Sequence, residues 1–379
     1  MIHRTDDTIA FAERLLELLD RGVFTATYKY AVLLGLLDLV IENMSVSGAP
    51  PRQLTTLQLA EKVLTTYWGH TLPYDVSMTG SATLRQNRGR ADSQAEIISR
   101  IGRFREKYVR DATATYFAAR SSHPQPSSTL LKSIELKLIE MPLPRLQRVG
   151  RFIDQFIYEI GWDETVDLGS VRAYQRGQNS DFDPTIRFIE HVPGHLVRLN
   201  SLLRPLIQRQ WAAEVANING LAQASLEEFL FGVGRVPTIK LRDDLLEIAE
   251  GRCFYCSEIV GSSDSKKPEI DHFIPWSRFP NNNVENLVIS HARCNRQKRN
   301  FIVCNAHLDN WVHRLNNRSA DLNEIAARQA WPSDFSKSGG IASAVYGGLP
   351  EGFYAWVAAE KFELLDLEKA HESIAGLVI

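Results

Sequence analysis

Cysteine is scarce in this chain, with four among 379 residues. That excludes a scaffold held together by disulfides and points to a reducing, cytoplasmic setting. An excess of charge of either sign is missing as well. The formal net charge is -2, which excludes a chain that binds nucleic acid through overall positive charge, so any contact with DNA has to come from local basic patches. Long hydrophobic runs are absent. The longest, Ala31 to Ile41, carries Asp38 and is too short to span a bilayer, so no membrane partner is expected. The opening residues mix charges throughout and lack a small-residue cleavage site, unlike a signal peptide. There is no internal repeat, no glycine-rich phosphate loop and no heptad pattern.

What is present concentrates between Arg252 and Asn300. Cys253 and Cys256 form one pair, His291 and Cys294 another, each with two residues between. Zinc prefers four tetrahedral nitrogen and sulfur ligands, and closely spaced pairs let one tight turn supply two of them. Four ligands leave no open coordination position, so a zinc ion here is structural and any chemistry lies elsewhere. Asp271-His272, Asn286 and Asn295 are interleaved with the ligands. Asp271 offers a hard oxygen of the kind magnesium and manganese favour. His272 offers a base that titrates near neutrality. A carboxylate, an imidazole and an amide around a hard cation suit phosphodiester hydrolysis. The competing reading is a bare zinc knuckle without activity, in which Asp271, His272 and Asn295 have no role.

The segments DHFIP, ENLV and HARCNRQK resemble the His-Asn-His (HNH) endonucleases in their zinc-stabilised ββα-metal form. The match covers Cys253, Cys256, Asp271, His272, Pro275, Asn286, Leu287, Cys294, Asn295 and Lys298, and departs at His291, where the commoner form has cysteine. The resemblance implies a strand over 268–273, a second over 284–289 and a helix over 291–301. It implies structural zinc on Cys253, Cys256, His291 and Cys294, and a catalytic magnesium or manganese ion on Asp271 and Asn295. His272 is then the general base, and Asn286 orients the loop or the histidine ring. Lys298 and Arg299, three and four positions after Asn295, contact flanking phosphates, while Arg293 and Arg296 point elsewhere. Should His291 not be the fourth ligand, Asp264, Glu258 or Cys304 are the alternatives.

The expected fold class is α+β, a mostly α-helical chain carrying this module. The segments are an N-terminal helical region over 1–120, a mainly helical scaffold over 129–250, the module over 251–305 and a helical C-terminal region over 306–379. Helices are expected over 6–20, 24–43, 193–218, 238–250, 321–331 and 352–372, and a flexible link over 121–128. The motif after Thr55 fits the opening of a winged-helix unit or a plain bundle. The stretch 80–111 is locally basic, and Arg100, Arg103 and Arg105 read either as a phosphate-contacting surface or as a solvated helix face. His307 and His313 read as surface or core histidines. The function expected is DNA cleavage, with RNA not excluded, in bacterial restriction or anti-phage defence alongside a protein partner. The alternatives are a non-cleaving, zinc-stabilised DNA-binding or interaction protein, and a nuclease of homing or recombination.

Overall fold

A computed structural model describes residues 2–21, 25–76, 80–90, 93–149, 152–222, 226–232, 238–260 and 267–378. The chain divides into two compact units, one of Met1–Val40 with Pro51–Gly234, the other of Ile41–Pro50 with Arg235–Ile379. Among the described residues no helix is long and apolar enough to cross a membrane.

The first unit begins with helices α1 (Ile2–Arg21) and α2 (Tyr28–Glu42), followed by β1 (Gln53–Thr55), α3 (Thr56–His70) and the hairpin β2 (Pro73–Val76) and β3 (Gly80–Thr83). Next come α4 (Glu96–Tyr108), α5 (Tyr116–Ser122), α6 (Pro124–Glu140), α7 (Pro142–Arg145), β4 (Arg148–Val149), β5 (Phe152–Ile153) and β6 (Tyr158–Ile160). The unit closes with α8 (Leu168–Gln175), β7 (Thr185–Phe188), α9 (Val192–Asn219) and α10 (Leu226–Gly232). Nearly every side chain of α2 is buried, as a helix apolar all round must be. Asp38 survives there because Arg204 pairs with it at 2.5 Å and Lys62 lies 3.6 Å away. Thr55 opens α3 with a reciprocal capping box to Gln58. The strand before it, β1, pairs with β7, and β7 with β6, all antiparallel.

The expected flexible link over 121–128 is instead the end of α5 and the start of α6, with His123 between them. Its prolines fall in the first turn of α6, where proline is tolerated because that N–H has no intrahelical partner. A buried polar cluster centres on Gln86, whose Oε1 accepts from Trp211 Nε1 at 2.9 Å and from the Thr27 hydroxyl at 2.7 Å. His70 lies in the same core, with Nε2 3.0 Å from the Leu230 carbonyl, and burial pushes its pKa down to about 4.

The second unit holds α11 (Arg242–Ile248), β8 (Glu269–His272), β9 (Leu287–Ser290) and α12 (Ala292–Lys298). Helices α13 (Asn305–Asn317), α14 (Ser319–Gln329) and α15 (Phe335–Gly347) follow, then the hairpin β10 (Tyr354–Ala358) and β11 (Lys361–Leu364), and α16 (Leu367–Ala375). The single helix expected over 352–372 is thus a hairpin followed by a helix. Tyr354 pairs with Leu364 and Trp356 with Phe362, a two-residue alternation that favours strands. Glu360, at φ 55°, turns the hairpin, and Asp366 caps α16. Residues 41–50 complete this unit from far upstream. Glu42 pairs with Lys337 at 2.9 Å, and a Cβ at Gly340 would stand 2.7 Å from the Met44 carbonyl oxygen.

Candidate active site and metal centre

Helix α11 leads into a tight turn through Glu250 and Gly251, both at positive φ (52° and 70°). The turn folds on itself: the Cys253 N–H donates to the Glu258 carbonyl, and the Ser257 N–H to the Cys253 carbonyl, both at 2.9 Å. On the other side β9 ends at Ser290, His291 occupies the cap position of α12, and Cys294 sits in its first turn. The ligand atoms of Cys253, Cys256, His291 and Cys294 all lie within 4.8 Å of one another. Sulfurs on a tetrahedral zinc with 2.3 Å bonds are about 3.8 Å apart, so small inward shifts suffice to close on an ion.

The surroundings fit a cation. The backbone N–H of His291 points at Cys253 Sγ, 3.4 Å away. The neighbouring Cys294 thiol, then backbone N–H groups, hold the Cys253 thiol down at about 4, while that interaction pushes Cys294 up. His291 Nδ1 lies 3.3 Å from Cys256 Sγ, and Nε2 lies 3.3 Å from the Ile259 carbonyl. With its proton on Nε2, donated to Ile259, the ring offers Nδ1 to the metal, the arrangement by which an outer partner fixes a histidine ligand. Of the alternatives for the fourth position, Glu258 pairs with Arg293 and Cys304 is a buried residue at the cap of α13. Neither belongs to the cluster, and Asp264 lies outside the described residues.

The strands β8 and β9 pair antiparallel, with Asp271 opposite Val288 and His272 opposite Leu287. Strand alternation puts Glu269 and Asp271 in one phase and His272 in the other. Asp271 Oδ2 accepts from the Tyr255 hydroxyl at 2.5 Å and pairs with Lys298 Nζ at 2.9 Å. Lys298 also donates to the His272 carbonyl at 2.7 Å, and its side chain is 0 % exposed. It therefore does not reach a flanking phosphate, because an inward lysine must keep its carboxylate partner. Arg299 does not share a helix face with it either. The helix ends at Lys298, and Arg299 leaves it at φ 48°, exposed.

Asn295 Nδ2 donates to Glu269 Oε2 at 2.9 Å, which brings a second carboxylate to the α12 side of β8. Glu269 was not singled out in the sequence, although its position two residues before Asp271 is the available signal. Asn286 is fully buried and orients the loop. Its Oδ1 accepts from the Ile274 N–H at 2.8 Å, and its Nδ2 donates to the carbonyls of Ile274 and Asn281. The histidine ring is met by a different residue, Asn282, whose Oδ1 is 2.9 Å from His272 Nε2. Trp331 Nε1 in turn donates to the Asn282 carbonyl at 2.6 Å. Glu285 is buried beneath this loop, accepts from the Asp334 N–H at 2.9 Å and from Ser338, and has its pKa raised by burial.

In the first unit the basic stretch is largely committed to its own fold. Arg100 donates to the Ser133 carbonyl and pairs with Glu96. Arg105 is buried, donates to the Ala112 carbonyl at 2.7 Å and lies over the Trp68 ring. Neither presents its guanidinium as a phosphate contact. Arg103 stays on the surface, with Nε 3.3 Å from the Ser99 carbonyl. His307 is a core histidine, with Nε2 2.9 Å from the Val357 carbonyl, and His313 is exposed.

No curated protein and no solved structure matches this chain. A family model described as HNH endonuclease matches residues 253–303, the span that runs from the first metal ligand through β8, β9 and α12. Carried in an α+β chain, the stretch 253–303 is an HNH endonuclease domain, and its Cys/His group is a candidate metal site as in the cysteine type.

Proposed function

We propose that this protein is a metal-dependent endonuclease that hydrolyses DNA phosphodiester bonds, with zinc on Cys253, Cys256, His291 and Cys294 as a structural ion. The observation that carries the reading is the hold on His272, whose Nε2 is met by Asn282 Oδ1 at 2.9 Å at the end of the strand that also bears Asp271. With the Nε2 proton donated to Asn282, Nδ1 is the unprotonated nitrogen of the ring and acts as the base that takes a proton from the attacking water. Asn286 keeps the loop that bears Asn282 against the segment following His272. Asp271 and Asn295, with Glu269 beside them, supply the oxygen donors for a magnesium or manganese ion. When bound, that ion stabilises the negative charge that develops on the phosphate and leaving oxygens. Lys298 balances Asp271 from inside the module, and exposed Arg299 meets the backbone of the substrate.

Hydrolysis needs none of the first unit, which leaves those helices for target selection or for binding a protein partner. A cytoplasmic role in restriction or anti-phage defence accommodates both. The Lys298–Asp271 pair favours one competing reading, a zinc-stabilised protein that binds DNA without cutting it, because the carboxylate already has a cation. Incubating zinc-loaded protein with supercoiled plasmid, and separately with RNA, in magnesium, manganese or chelator decides between them. Metal-dependent nicking or linearisation of plasmid is expected. Intact plasmid and RNA in every metal, with plasmid still retarded on a gel, would establish the binding protein instead.

A further inference from the structure

A cleft opens along the outer edge of β9. On that edge the Leu287 carbonyl accepts from Arg314 Nη2 and the Ile289 carbonyl from the Phe254 N–H, each at 2.9 Å. The cleft therefore lies across β9 from β8, the strand with Asp271 and His272. Its volume is about 340 Å³, within the roughly 300–1,000 Å³ of small-molecule sites. Its floor is apolar, built by Leu245 and Ile248 of α11 and Phe254 of the metal turn. Its rim is not. Asn310, His313, Arg314, Asn317 and Arg318 recur at three- and four-residue spacing, so one face of α13 and its cap supplies them. Arg252 joins the lining from the metal turn.

Apart from the metal-site Cys253, the charged side chains described in the cleft lining are all basic. No described acidic residue lines it. Arg252 donates to the Ser257 carbonyl at 3.0 Å, and Arg314 to the carbonyls of Glu285 and Leu287. Among the described residues neither arginine is in an ion pair, whereas Arg318 meets Glu250 at 2.8 Å and Asp321 at 3.4 Å. Guanidinium groups bind phosphate through paired N–H donors. The asparagine amides both donate and accept, as the edge of a base requires. Bare phosphate leaves the apolar floor unused, and an apolar ligand leaves the arginines unused. We propose that the cleft binds a nucleotide unit, its base against Leu245, Ile248 and Phe254 and its phosphate on exposed Arg252. The same chemistry is offered by a free nucleoside monophosphate and by an unpaired nucleotide within a single strand.

The test is calorimetric titration of the full-length, zinc-loaded His272→Ala protein, so that the result does not depend on whether the chain cleaves DNA. The probes are AMP, dTMP, adenosine, inorganic phosphate and a short single-stranded oligothymidylate. At least one nucleotide-bearing probe should bind about tenfold or more tightly than either adenosine or phosphate. Tighter binding of the monophosphates assigns a free nucleotide, and tighter binding of the oligonucleotide an unpaired strand. Arg252→Ala and Asn317→Ala, both at exposed positions, should each weaken binding about tenfold, the scale of one charge-assisted or buried hydrogen bond. Zinc content and melting temperature report whether each variant is folded, and a folded one suffices. Absence of heat with every nucleotide probe, phosphate binding as tightly as the nucleotides, or unchanged affinity in the folded variants would overturn the assignment.

Discussion

His272 and His291 are two histidines of one module, and they meet different partners. His272 meets an amide oxygen at Nε2, whereas His291 meets a carbonyl at Nε2 and a sulfur at Nδ1. Replacing His272 with alanine should lower plasmid cleavage by at least about 10²-fold, the usual scale for a lost general base, while zinc content stays at one per chain. Asn282→Ala should give a smaller loss, because the base remains but its ring is no longer held. Cleavage at wild-type level by a folded His272→Ala protein would remove the imidazole from the mechanism. For His291 the readout is metal and not turnover. His291→Cys should keep one zinc, and His291→Ala should lose it or hold it weakly, since such a site contributes folding free energy. Full zinc and unchanged stability in His291→Ala would mean that the ring is not the fourth ligand.

At the scale of elements, α12 separates what a sequence can and cannot show. The two ligand pairs were legible because a short spacing fixes both members of each pair on one turn. The strand around Asp271 was legible through the family resemblance, which left Asn286 to orient either the loop or the histidine ring; its hydrogen bonds run to the loop. Lys298 was not legible. Helical spacing put it beside Asn295 and Arg299, but the carboxylate and carbonyl it binds come from β8, across the module. Asn282 was illegible because it stands in a run of three asparagines, and only the folded loop separates the one that meets His272 from those that bind Ser338. The link at 121–128 was misread because proline and serine mark a helix start as well as a loop. Two variants test the revised view of α12. Lys298→Ala should destabilise the module by about 3–5 kcal/mol, leaving a buried carboxylate unpaired. Arg299→Ala should leave stability unchanged and lower the salt slope of DNA binding by close to one unit. A soluble, normally stable Lys298→Ala protein with a reduced salt slope would return Lys298 to the surface.

At the scale of the whole molecule, acid sensitivity is built into the first unit. That unit carries His70, whose pKa falls from 6.5 to about 4 on burial. Unfolded chains take up a proton near 6.5 that the folded unit refuses until near 4, so the unfolded state is the more protonated between those values. The stability tied to this histidine is fully present above pH 6.5 and is lost as pH falls toward 4, by on the order of 3 kcal/mol at the end of that range. Denaturant midpoints for the first unit should decline across that window, and His70→Gln should flatten the decline. A slope unaltered by the substitution would assign the acid sensitivity to other groups.

Residues 41–50 belong to the second unit although the stretch that follows them, from Pro51 to Gly234, belongs to the first. The segment is the docking floor for α15, where Gly340 leaves no room for even a methyl group against the carbonyls of Glu42 and Met44. A ribosome releases that floor long before it makes Gly340. The floor must therefore wait uncovered until α15 has been translated, and an excised fragment starting at Arg235 never acquires it. Transplanting the second unit by cutting at Arg235 would leave behind a piece of its own foundation.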